Sequence, residues 1–107
     1  MEININCDLG EKSVHHSNVN DPDLLAIVNS ASVACGYHAG DDQTMSEVVQ
    51  ISKKNGVSIG AHPSFKDLEN FGRKRMNLSK SEIEKLIIEQ YEILQKIAEN
   101  HGEKVTP

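Results

Sequence analysis

The chain contains two tyrosines and two phenylalanines but no tryptophan, and its 16 acidic residues outnumber 11 basic ones to leave a net charge of -5. Nucleic-acid binding needs a basic stripe or stacking platforms, and this composition supplies neither. No apolar run approaches the roughly 18 residues of a membrane span. The first residues lack the basic start and apolar core of a secretory signal, so the expected location is the cytoplasm. Two cysteines, Cys7 and Cys35, are not spaced as CxxC, which argues for buried reduced thiols over a disulfide or a zinc clip. A GxxxxGK[ST] loop is missing, so no local motif cradles nucleotide phosphates. Internal repeats and low-complexity segments are missing as well.

What remains is an ordinary globular composition, 107 residues with 37% hydrophobic and 25% charged, enough for one small domain. Its centre is SASVACGYHAGDD, residues 30–42: a small apolar run through Cys35 stops at Gly36 and delivers Tyr37, His38 and Asp41 into a tight turn before a helix. That is the layout of a βα loop, where parallel α/β proteins place their chemistry. Upstream, Ile3, Ile5 and Cys7 alternate with polar residues and predict a first strand, with Asp8 and Glu11 just past its end. Those carboxylates either face a common site or belong to an Asx-type turn capped by Asp8. Residues 12–20 form a polar loop with His15 and His16 exposed. Asp21 and Pro22 then mark a helix start, an N-cap followed by proline at the first helical position, and Leu24, Leu25, Ile27 and Val28 offer a buried face.

Downstream of the central turn, Asp41 or Asp42 caps a helix that buries Met45, Val48, Val49 and Ser52 and ends at Gly56. Residues 57–61 predict a third strand, stopped by His62 and Pro63. The long loop that follows contains Phe65, Phe71, Gly72, Arg73 and Arg75 and is expected to be ordered and ligand-facing. Ser79 and Glu82 have capping-box spacing, and an apolar period from Ile83 to Ala98 predicts an amphipathic helix packed on a sheet. Lys104 to Pro107 open a fourth strand. Alternating strands and helices mean parallel strands with crossover connections. All C-terminal strand ends of a parallel sheet lie on one edge, so Asp8 with Glu11, His38 with Asp41, and His62 are expected to converge, with His38 and His62 sharing a pocket floored by Asp8. Such a cluster either binds a divalent metal or divides acid and base roles in hydrolysis, and the spacing does not decide between them.

The segments INCDLGE (5–11), SASVACGYHAGD (30–41), IGAHPSF (59–65) and FGR (71–73) resemble the LamB/YcsF family. The resemblance implies a β/α barrel of parallel strands, related to metal-dependent glycoside hydrolases and deacetylases. It also implies ATP-dependent hydrolysis of 5-oxo-L-proline to L-glutamate together with subunits B and C. On that basis Asp8, Glu11, His38 and His62 are the catalytic candidates, Asp41, Ser64 and Arg73 the substrate-binding ones, and Asp8, His38 and His62 the candidates for a divalent metal. Asp8 or His62 would act as base on water, His38 would protonate the leaving nitrogen or hold a metal, and Arg73 would bind the substrate carboxylate or the phosphate. Alternatives are a metal-dependent amidase or deacetylase, and a non-catalytic fragment. Lys12, Ser13 and Val14 stand where the family has a glycine and aromatic pair, and a KPHGALYN-like motif is missing. A closed barrel needs about 250 residues. The 107 residues are therefore expected to form a single domain that is the incomplete N-terminal portion of such a barrel, whether a fragment or a truncated gene product.

Overall fold

Small and β-branched residues between glycine turns build short strands, and each strand hands the chain to a helix. A computed structural model describes residues 3–14 and 16–106. The elements are β1 (Asn6–Leu9), α1 (Asp21–Leu25), β2 (Ser30–Ala34), α2 (Asp42–Asn55), β3 (Ser58–His62), α3 (Lys80–Asn100) and β4 (Val105–Thr106). The strands form one parallel sheet in the order β1-β2-β3-β4. Sequential order is what adjacent strands of a β/α barrel have, and it differs from the reversal of a doubly wound sheet. No helix among the described residues is long and apolar enough to cross a membrane.

Register sorts the two sheet faces. Cys7, Ala31, Ile59 and Val105 lie in one row across the strands and pack into the core with Met45, Val48 and Val49 of α2 and Leu94 and Ala98 of α3. The next row is Asp8, Ser32, Gly60 and Thr106, and by strand alternation it faces away from the helices. That uncovered face is small and polar, with Asn6 donating to Ser32 Oγ at 3.2 Å.

Several expectations need correction. β1 begins at Asn6, which leaves Ile3 and Ile5 exposed, because Ile5 uses its backbone groups on Asn29 and Ser30 instead of a ladder. β1 also runs on to Leu9, so Asp8 lies inside it and not past its end. Asp21 does not cap α1: Asn20 holds the cap position, and the buried Asp21 carboxylate accepts the backbone N–H of Gly10 at 2.8 Å. Burial raises the Asp21 pKa despite that bond. α1 is a single short turn of helix, so Leu25 and Val28 are buried while Ile27 is exposed. α3 has its capping box, yet the first half of its apolar face does not reach the sheet. Leu94 and Ala98 are buried, whereas Ile83, Ile87 and Tyr91 are exposed, because that half overhangs the loop after β3. His16 is exposed as expected, and His15 lies outside the described residues.

α2 follows its sequence signals closely. Asp41 is the N-cap, its Oδ1 accepting from Thr44 N at 2.7 Å, and Gly56 closes the helix at φ 68°. The bonds from Thr44 hold the Asp41 carboxyl below its ordinary value of 3.8. A carboxyl with a depressed folded-state pKa stabilises above its unfolded pKa and loses that contribution as pH falls through the folded one. Asp41→Ala is expected to cost about 1 kcal/mol at neutral pH, with the gap to the parent narrowing on acidification below 3.8. Urea unfolding at both pH values measures this, and a gap independent of pH would contradict the ionic cap.

Candidate functional site

The C-terminal ends of β1, β2 and β3 meet at a pocket of about 250 Å³ lined by Asp8, Glu11, His38, His62 and Ser64, and by Phe71, Gly72 and Arg73 of the long loop. Local chemistry brings them there. After β2, Gly36 and Gly40 take φ 90° and 79°, and Gly36 N donates to Ala39 O at 3.0 Å, so the chain doubles back and drives His38 inward to 2% exposure. Gly40 also donates to Lys12 O at 2.7 Å, and a Cβ on it would run into the carbonyl oxygen of Gly10, so only glycine lets the first two loops touch.

The central contact is His38 Nε2–H donating to Glu11 Oε2 at 3.0 Å, with the Glu11 side chain 12% exposed. The carboxylate only accepts, so the proton sits on Nε2 and leaves His38 Nδ1 enclosed without a partner. His62 lies beside it, the two rings 4.8 Å apart and tilted by 52°. His62 Nδ1 is 3.8 Å from Asp8 Oδ1 and 3.9 Å from Glu11 Oε2, and it too lacks a hydrogen-bond partner. Phe71 packs edge-on against His38 at 5.0 Å between ring centres, and the Arg73 guanidinium lies 5.8 Å from the Phe71 ring.

Six of the seven sequence candidates thus line one pocket. Asp41 does not: its carboxylate is used on the α2 cap, and it borders a separate depression with Gly36 and Asp42. Asp8 is not the floor either, since its side chain is 56% exposed on the uncovered sheet face, and Glu11 occupies the deep position. The metal-competent set shifts in the same sense. Among the described residues, Glu11, His38 and His62 have ligand atoms within 4.8 Å of one another, and Asp8 is outside that group. One carboxylate and two imidazoles, with an unpartnered nitrogen on each ring, are a donor set that fits a zinc-like divalent ion. The cysteines are free, and burial pushes the Cys35 thiol up to about 11, which keeps it protonated and inert at neutral pH.

The loop after β3 does cover the pocket, through Phe71 and Arg73, while Phe65 turns to a different depression against Ile83 and Ile87. Sequence reasoning missed one anchor of this arrangement. Gln90, fully buried on α3, accepts from Ser64 N at 2.9 Å and donates to Ser64 O at 2.8 Å and to Leu86 O at 3.0 Å. Its signal was available as a lone amide at a core position of an otherwise apolar stripe, since a buried amide must find partners.

Histidines and carboxylates gathered at the strand ends of a singly wound parallel sheet define a β/α protein whose titratable groups converge on one rim. The model of the LamB/YcsF family matches residues 3–107, and the chain belongs to that family. It is 48% identical over 107 residues to a Nitrobacter hamburgensis protein named as one of the subunits of 5-oxoprolinase, with 99% of this chain and 42% of the relative covered. A Staphylococcus epidermidis protein of the same name is 49% identical over 90 residues, covering 84% of this chain and 36% of the relative. A crystal structure of a lactam utilization protein from Thermus thermophilus superposes with a TM-score of 0.90 at 34% identity, over 98% of this chain and 42% of that one. The chain therefore spans about two fifths of the length of the relatives it matches.

Gly72 tests the closeness of the loop to the site. At φ 73°, a Cβ there would overlap Ser64 Oγ and come within 2.8 Å of His38 Cβ, whereas Gly56 at φ 68° has nothing within 4 Å. Both alanine variants bear the left-handed backbone cost of about 1–2 kcal/mol. Gly72→Ala is expected to lose clearly more stability than Gly56→Ala in urea unfolding, and equal losses would contradict the packing described.

Proposed function

We propose that this chain supplies part of the catalytic rim of an ATP-dependent lactam hydrolase that opens 5-oxo-L-proline to L-glutamate together with subunits B and C. The observation that carries the proposal is the pocket itself, where two imidazoles, two carboxylates and a guanidinium from the ends of three strands and the loops that follow them meet. The relatives' names support the substrate. ATP, the partner subunits, the remainder of a barrel and a cytoplasmic setting enter through the family resemblance.

A lactam carbonyl is a poor electrophile. Transfer of the γ-phosphoryl group of ATP to the carbonyl oxygen releases ADP and makes the ring carbon attackable. Water then adds to that carbon, the C–N bond breaks as the ring nitrogen takes a proton, and the resulting acyl phosphate is hydrolysed by a second water to glutamate and inorganic phosphate. In this scheme the open pair Asp8 and His62 removes the proton from attacking water. Buried His38, its Nε2–H fixed on Glu11, gives a proton to the ring nitrogen from Nδ1 in its doubly protonated form, which the Glu11 carboxylate stabilises, and Arg73 binds the substrate carboxylate or the phosphate through its planar fork. As the alternative to these proton-transfer roles, Glu11, His38 and His62 are the residues that would hold a divalent ion, which would supply Lewis-acid polarisation of a carbonyl. Ser64 borders the pocket as a further substrate contact. Asp41, committed to its helix, is not given a substrate role.

A chimera decides the matter: residues 1–107 of this chain in place of the aligned segment of the Nitrobacter hamburgensis relative. With ATP and subunits B and C it is expected to form glutamate from 5-oxo-L-proline, and His62→Ala in the chimera is expected to lower kcat by about 10²- to 10⁴-fold. The 107-residue chain alone is expected to form none. A folded but inactive chimera, or full activity after His62→Ala, would contradict the proposal.

A further inference from the structure

The loop between β3 and α3 runs without regular structure from Pro63 to Ser79, yet three of its consecutive residues line the pocket. Phe71 among them adopts φ 58°, a left-handed conformation that a bulky residue takes only when its surroundings impose it. Phe71 sits edge-on to His38, but one ring contact does not fix a backbone. The fixing group lies elsewhere.

Asp67 is 9% exposed and is not among the residues that line the pocket. Every polar group it has is engaged within the loop or on the neighbouring turn. Its Oδ1 accepts from the backbone N–H and the side-chain Nδ2 of Asn70, both at 3.2 Å, and its Oδ2 accepts from Lys74 N at 3.2 Å. Its carbonyl accepts from Gly72 N at 2.8 Å, and its own N–H donates to Tyr37 O at 2.9 Å. These bonds bracket residues 70–74 from one point, and the last ties that point to the residue immediately before His38. Donors on both oxygens satisfy the hydrogen-bonding demand of a carboxylate at this depth.

We infer that Asp67 is a positioning residue: from outside the pocket it fastens the loop to the Tyr37 carbonyl and thereby sets Phe71 against His38 and Arg73 at the pocket mouth. The part assigned to Arg73 rests on the function proposed above, while the placement of Phe71 does not. Releasing the bracket lets Phe71 leave the left-handed region, uncovers His38, and frees Arg73 from a fixed position. Small displacements of binding groups are costly in such sites.

The test uses the 107-residue chain in solution. In the parent, proton NMR is expected to show a nuclear Overhauser contact between the Phe71 and His38 rings and a ring-current shift on His38. In Asp67→Ala both are expected to disappear, while amide protection of Val33 and Ile59 in the sheet is retained. Asp67→Asn, which keeps one acceptor for Asn70 and sets an amide against Lys74 N–H, is expected to weaken the contact partially. Should Asp67→Ala lose sheet protection, Asp67→Asn carries the decision. An undiminished Phe71–His38 contact in the variant that remains folded would overturn the inference. Titration of the chimera with 5-oxo-L-proline adds a functional arm: there Asp67→Ala is expected to weaken binding about tenfold, and Arg73→Ala is expected to do the same. Failure of the parent chimera to bind the lactam would count against the proposed function and leave the ring contact to decide the role of Asp67.

Discussion

The hydrogen bond between His38 and Glu11 is the contact on which the site depends. It spans 3.0 Å between a fully buried ring and a nearly buried carboxylate, and it joins loops that follow two different strands. A charge-assisted bond of this kind is worth about 1.5–3 kcal/mol, and more is lost when one partner is left buried alone. The sheet supplies the convergence and the glycines supply the room. Gly40 brings its backbone against Gly10 and Lys12, and Gly72 brings the third loop against Ser64 and His38. Function, stability and backbone geometry therefore meet in the same few ångströms.

Around this bond the surroundings divide the titratable groups into two layers. Glu11 and His38 are deep, enclosed by Phe71 and by the loop from β3, and are positioned rather than solvated. Asp8 and His62 are open, 56% and 33% exposed, and lie on the uncovered polar side of the sheet where a water or a substrate has access. A barrel interior is ordinarily filled with bulky branched residues. Here the exposed row holds Asp8, Ser32, Gly60 and Thr106, which leaves the strand ends reachable.

Much of this was legible in the sequence because it is written in local chemistry. Glycines at 36 and 56, the cap residues Asp41 and Ser79, and the periodicity of α2 each act within a few residues of themselves, and parallel order follows from the alternation of elements. Convergence of Asp8, Glu11, His38 and His62 was legible from the shared edge of parallel strands, whereas Ser64 entered through the family resemblance and Asp41, expected with them, is committed to its helix cap. Partnerships across long sequence distances were not. Nothing near Asp21 announces that its carboxylate holds Gly10 in place of capping its own helix, and nothing near Gln90 announces Ser64 as its partner. Periodicity also cannot tell where a helix runs off its sheet, which is why Ile83 and Ile87 read as core and are exposed. Depth was misassigned between Asp8 and Glu11 because β1 runs on to Leu9, two residues past the end of its alternating pattern at Cys7, which sets Asp8 on the open sheet face.

The central claim is that β1 and β2 loops are locked together through Glu11 and His38. A double-mutant cycle with Glu11→Ala, His38→Ala and the pair together, followed by urea unfolding of the chain, measures that lock most directly. The account predicts a coupling energy of about 1.5–3 kcal/mol, well outside the additivity of independent sites. Losses that add to within about 0.5 kcal/mol would mean that the two residues do not share the bond described, and would contradict the site as built here.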